Sequence, residues 1–199
     1  MDTIAISIRS SIIIYFISVA IWIYGQSMQM VKSRKEELNR QRYLYPLEAV
    51  GAGDSTLAKA YERDALAMIP TKSKLMPHAR EVLEYLSGKY NLYILSNGFK
   101  ELQSHKMRSS GIDEYFKKVV LSDDIGILKP WPEIFHFALS TTQSELNNSL
   151  MIGDSWENDI VGAAGVGMHQ VFYNLSGRTD LPFAPTYQIT DLKDLFNFL

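Results

Sequence analysis

The run Leu150-Met151-Ile152-Gly153-Asp154-Ser155-Trp156-Glu157-Asn158-Asp159 joins a short apolar stretch to a glycine turn and an acidic cluster. A continuous apolar stretch such as Leu150–Ile152, without alternation, describes a strand covered on both faces, as in a parallel sheet. Such a strand delivers Asp154 to the carboxyl edge of the sheet, where α/β folds bind ligands. Asp159 falls just inside the helix that follows. Two carboxylates and the Ser155 hydroxyl at one strand end suit a hard, oxygen-seeking cation such as Mg²⁺. The plainer alternative is that Asp154 or Ser155 only caps the helix.

The same pattern repeats on both sides of this run. Leu92–Leu95, Val119–Leu121, Gln170–Tyr173 and Tyr187–Ile189 read as further short strands. Helices are expected over Phe99–Ser110, Pro132–Leu139, Ile160–Ala164 and Leu192–Leu199, with Gly111 stopping the first and Ser144 capping a short turn. Pro77 suits the first turn of another, with Val82, Leu83 and Leu86 inward and Gly88 as its stop. Alternating strands and helices predict an α/β fold, a Rossmann-like parallel sheet with helices on both faces.

Two more strand ends carry polar residues. Ser96-Asn97-Gly98 follows Leu92–Leu95, and a hydroxyl with a loop of backbone N–H groups makes an anion cradle, though Ser-Asn-Gly is also a common turn. Lys129 stands before Pro130, which holds it on extended backbone. Its ammonium either neutralises a phosphate or carboxylate or is an ordinary surface charge.

The amino-terminal third has a different texture. No charged residue occurs from Ser10 to Met30, and Ile12–Tyr24 is almost wholly apolar. Such a stretch is long enough to cross a bilayer as a helix, with membrane contact over residues 12–24. Its Ile, Tyr, Trp and Val content equally describes a β-rich or frame-shifted segment. From Ser33 the chain turns charged: Ser33 and Glu36 have capping-box spacing before a helix over Lys35–Tyr43. Pro46 and Gly51–Asp54 interrupt it, and Ser55 is expected to cap a helix over Thr56–Met68. The division expected is an atypical apolar segment over 1–32, a partial helical cap over 33–70 and a core domain over 71–199.

Composition narrows the function. With 199 residues, 46% hydrophobic and 21% charged, the chain is an ordinary globular protein. A net charge of -2 leaves no basic excess for a nucleic-acid face. Zero Cys excludes disulfides, thiol catalysis and thiolate metal sites, and suits a cytoplasmic location.

The order Ser96-Asn97-Gly98, then Leu128-Lys129-Pro130, then Ile152-Gly153-Asp154-Ser155-x-x-Asn158-Asp159 resembles motifs two, three and four of the haloacid dehalogenase superfamily. It is closest to subfamily I phosphatases with a helical cap, and covers roughly Lys35 to the carboxyl terminus. Tyr93–Gly98 and Pro132–Phe135 look like the branch that includes pyrimidine 5′-nucleotidases. The resemblance implies Mg²⁺-dependent hydrolysis of a small phosphorylated metabolite, with a nucleoside 5′-monophosphate as substrate and an aspartyl-phosphate intermediate. It implies that Ser96 and the Asn97 backbone bind the phosphoryl group and that Lys129 neutralises charge and steadies the nucleophile. Asp154 would ligate Mg²⁺, and Asp159 would support Lys129 or the metal shell.

The family's first motif, Asp-x-Asp after an amino-terminal apolar strand, has no counterpart here. The only acidic residue before Glu36 is Asp2, which precedes the apolar run. No Cys or Ser–His couple replaces it, and His78, His105, His136 and His169 are scattered. A displaced reading frame or start would explain both the lost motif and the apolar segment; loss of catalysis would explain the motif alone. The missing strand belongs in the middle of the sheet, and Thr3–Ile8 or Ile12–Ile17 is a candidate to replace it and restore backbone pairing.

Overall fold

A computed structural model of the chain describes residues 11–14, 43–68, 73–98 and 100–199. In chain order these form strand β1 (Ser11–Ile14), helices α1 (Tyr45–Ala49), α2 (Ser55–Met68) and α3 (Ala79–Ser87), then β2 (Asn91–Ser96) and α4 (Lys100–Ser110). There follow β3 (Phe116–Leu121), α5 (Ser122–Ile125), α6 (Pro132–Thr142), β4 (Ser149–Gly153), α7 (Val161–Gly165), β5 (His169–Tyr173) and β6 (Tyr187–Ile189). The expected Lys35–Tyr43 helix, save Tyr43, lies outside the described residues.

The strands make a parallel sheet in the order β3-β2-β1-β4-β5-β6. The central place therefore belongs to Ser11–Ile14. Ile14 is level with Ile94 of β2 on one side and Ile152 of β4 on the other. A strand between two neighbours gives partners to backbone groups that would otherwise be buried and unpaired. The reading of Ile12–Tyr24 as a bilayer helix is thus corrected at residues 12–14, which are sheet. Among the described residues no helix is long and apolar enough to cross a membrane.

Both faces of the sheet are covered, as the unbroken apolar strands require. Leu92, Ile94, Leu150 and Ile152 pack on one face with Val82, Leu83 and Leu86 of α3 and with Leu192, Leu195 and Leu199. Leu95 and Met151, one residue out of step, point to the other face and meet Ile134, Phe135 and Ala138 of α6 and Ala163 of α7. The hydroxyl of Tyr90 donates to the Leu199 carbonyl at 3.0 Å, which ties the end of the chain to the start of β2.

Some boundaries differ from the sequence expectation for local reasons. The β3 strand starts at Phe116 rather than Val119, because Lys117 and Lys118 are tolerated on the exposed edge of the sheet. Asp54, not Ser55, caps α2: its Oδ1 accepts the Thr56 N–H at 2.7 Å. The final segment is a 3₁₀ helix over Leu192–Asn197, capped by Asp191 through the Lys193 N–H at 2.9 Å.

Gly162 sets how closely the α7 segment approaches the turn after Lys129. A Cβ there would lie 2.6 Å from the Phe135 ring and 3.0 Å from the Pro130 Cα, both of them buried or backbone atoms with little room to yield. Gly162→Ala is expected to destabilise the chain by about 1–3 kcal/mol through overpacking, measured by urea unfolding.

Candidate functional site

The carboxyl ends of β2 and β4 flank β1, so Ser96 and Asp154 lie at the same edge of the sheet. Ser96 closes β2 and is fully buried, at 0% exposure. Its Oγ accepts the Gly98 N–H at 2.9 Å and a side-chain N–H from Gln103 on α4.

Asn97 does something its sequence context does not announce. Its Oδ1 accepts the Lys129 N–H at 2.8 Å, while its Nδ2 donates to the Lys129 carbonyl at 3.0 Å. This two-way clamp fastens the backbone of the β3–α6 connection to the turn after β2. The Lys129–Pro130 peptide is cis. From that held backbone the Lys129 side chain runs inward, only 3% of the residue being exposed. Its Nζ donates to the Leu95 carbonyl at 2.8 Å and to Asp159 Oδ1 at 2.6 Å.

Asp159 is the other half of that buried pair. It stands at 0% exposure in a wide π-type turn over Trp156–Ile160 that carries the chain from β4 into α7. Its second oxygen, Oδ2, accepts the Ser155 N–H at 3.1 Å. Gly153 is what admits it: a Cβ at 153 would come within 2.5 Å of the Asp159 Cβ and Cγ. Ser155 caps this turn, its Oγ accepting the Asn158 N–H at 3.3 Å and an Asn158 Nδ2 hydrogen at 2.9 Å.

Burial dominates the electrostatics of the pair. It pushes the Lys129 ammonium below its ordinary range and the Asp159 carboxyl above its own, and each is partly offset by the charge and hydrogen bond of the other. The negative charge of Asp154 acts on both, favouring the Lys129 cation and opposing a second anion at Asp159.

The arrangement differs from the three-oxygen cation site suggested by the sequence. Asp159 faces Lys129, and the Ser155 Oγ is engaged by Asn158. Among the described residues no set of three or more His, Asp and Glu side chains is placed to hold a metal. Asp154 remains at the edge, and one carboxylate is a sufficient protein contribution for Mg²⁺ when water and phosphate oxygens complete its octahedron. The residues present fit such a cation through Asp154.

Sequence reading singled out Ser96, Asn97, Lys129, Asp154 and Asp159, and all five lie at or just beneath one edge. It missed the Asn97 side-chain clamp and Gln103. The spacing of seven residues between Ser96 and Gln103, a short turn plus one turn of helix, was the available signal.

With this geometry in hand, comparisons with known proteins are specific. The family model of the haloacid dehalogenase-like hydrolases matches residues 13–167, starting inside β1. The HAD-hydrolase YfnB of Bacillus subtilis is 28% identical over 84% of this chain and 72% of its own length. The crystal structure of YfnB bound to magnesium superposes with a TM-score of 0.75 at 27% identity, covering 82% of this chain and 72% of that one. The pyrimidine 5′-nucleotidase YjjG of Escherichia coli is 31% identical over 62% of this chain, which spans 56% of YjjG. The pyrimidine 5′-nucleotidase PynA of Streptococcus pneumoniae is 27% identical over 90% of this chain and 75% of its own length.

Proposed function

Because the chain belongs to the haloacid dehalogenase-like hydrolases, we propose that its sheet edge is a Mg²⁺-assisted site for the phosphate of a small metabolite, a nucleoside 5′-monophosphate foremost. The observation that carries this reading is the buried Lys129–Asp159 pair, fastened to β2 beside Ser96 and to the turn after β4 beside Asp154. A structural ion pair needs only itself; this one ties together the strand ends that a phosphoryl group would bridge. Ser96 would donate to a phosphoryl oxygen, with the Asn97 backbone beside it. Lys129 would supply positive charge from below, and Asp159 would hold the ammonium in place. Mg²⁺, held by Asp154, would screen the phosphate's charge and orient it. The likeness to YjjG and PynA supports a pyrimidine nucleotide as the substrate. Residues 33–70 would form a partial cap on a core over 71–199, to which the 1–32 segment lends β1, and the protein would work in the cytoplasm.

A second reading, binding with little hydrolysis, is favoured by one specific observation. The strand in the central place, Ser11–Ile14, is followed in sequence by Tyr15 and Phe16, and no acidic residue occurs between Asp2 and Glu36. Family members attack phosphorus with an aspartate borne on that strand. Here the supporting residues are present and the attacking one is not.

Equilibrium binding of uridine 5′-monophosphate separates this site from a merely structural cluster. Saturable binding that requires Mg²⁺ and the phosphate, with uridine itself inert, is the expected outcome. Asp154→Asn should weaken it about tenfold or more, the worth of at least one charged contact. Equal binding of uridine and its monophosphate would refute the phosphate assignment, and unchanged affinity in Asp154→Asn would remove Asp154 from the metal role.

A further inference from the structure

We propose that Gln103 is a positioning residue that fixes the Ser96 hydroxyl as a hydrogen-bond donor toward a bound phosphoryl group. This rests on the reading of Ser96 as a phosphate contact and adds the residue that makes it one. A serine hydroxyl has one hydrogen to give and two lone pairs to receive with. At Ser96 both lone pairs are engaged, one by the Gly98 N–H at 2.9 Å and the other by the Gln103 side-chain amide. The O–H is left to point in the remaining direction.

The orientation of the Gln103 amide decides this. Were its carbonyl oxygen turned to Ser96, the serine would donate into α4 and offer any anion only lone pairs. With the NH₂ turned to Ser96, the Gln103 Oε1 is left buried with no hydrogen-bond partner. Buried acceptors without a partner are uncommon, and this one is the cost of leaving the serine proton free to donate.

The surroundings are built for the contact. Gln103 is only 3% exposed although it lies on a helix of mostly polar sequence, Lys100–Ser110. Gly98 leaves the space it occupies: a Cβ at 98 would stand 2.6 Å from the Gln103 Nε2. A residue needed only to pack α4 on the sheet would be apolar at this depth.

The test is the affinity of the full chain for inorganic phosphate in Mg²⁺, followed by phosphorus NMR for the wild type, Ser96→Ala, Gln103→Met and the double variant. Methionine keeps the volume and unbranched shape of glutamine and removes the donor. Ser96→Ala is expected to weaken phosphate binding about tenfold, the worth of one hydrogen bond to a charged group, and Gln103→Met about threefold, since it frees the hydroxyl without removing it. The double variant should bind no more weakly than Ser96→Ala, because Gln103 acts only through that hydroxyl. Gln103→Glu should lose more than Gln103→Met, since a carboxylate both draws the Ser96 proton and repels the anion; it also serves if the methionine variant lacks a cooperative unfolding transition. Wild-type affinity in Gln103→Met beside a loss in Ser96→Ala, or losses that add in the double variant, would overturn the role of Gln103 and leave the phosphate site standing. Wild-type affinity in Ser96→Ala would overturn both.

Discussion

Lys129→Met is expected to remove about 3–5 kcal/mol of unfolding free energy in a urea titration, because it strands the Asp159 carboxylate at 0% exposure without its cation. Native domains carry only about 5–15 kcal/mol in total, so the variant should be near the limit of folding. Ser155 would still donate to Asp159, but one backbone N–H does not replace an ammonium at 2.6 Å. The double variant Lys129→Met, Asp159→Leu should regain most of the loss, since apolar residues of similar size often replace a buried ion pair without penalty. That pattern would show that the pair is kept for its charge at the sheet edge rather than for stability. A single-variant loss below about 1 kcal/mol, the range of exposed pairs, would mean that the Lys129 and Asp159 side chains are solvated.

Phosphate release from uridine 5′-monophosphate is expected to run roughly four to six powers of ten slower than that of YjjG assayed beside it in Mg²⁺, the scale on which loss of a covalent nucleophile is felt. The strand that fills the central place begins with Ser11, level with the starts of β2 and β4, and its remaining residues are isoleucines, which cannot attack phosphorus. Positioning and electrostatics from Ser96, Lys129 and Asp154 would lower the barrier to direct attack by water only modestly. A turnover within about tenfold of YjjG would show that another residue of this chain serves as the nucleophile, and the binding-dominated reading would fall.

Much of the fold was legible because it rests on short-range signals. Leu92–Leu95 and Leu150–Ile152 are continuous apolar runs, each leading into a glycine turn, and that is how a strand covered on both faces is written. The central strand was harder. Ser11–Ile14 lies in an apolar stretch with no helical or two-residue period, and such runs do not tell strand from helix by themselves. What decides it is the unpaired backbone of β2 and β4 on either side, a non-local demand.

The site divided along the same line. Asp154 and Lys129 were visible because glycine and proline punctuate the chain beside them. The partner of Asp159 was not, since Lys129 is 30 residues away in the chain and reaches it only after the sheet has formed. Asn97 could be placed after a strand, but its clamp on the Lys129 backbone spans 32 residues. Gln103 is one polar residue among many on α4, and only its burial sets it apart.

The most direct test is a crystal structure of the full chain grown with Mg²⁺ and tungstate, an anion shaped like phosphate and visible by its anomalous scattering. The anion is expected at the carboxyl ends of β2 and β4, within hydrogen-bond distance of the Ser96 Oγ, with the cation on Asp154. An ordered anion elsewhere on the molecule, with the Ser96 edge empty, would contradict the assignment of this edge as the phosphate site.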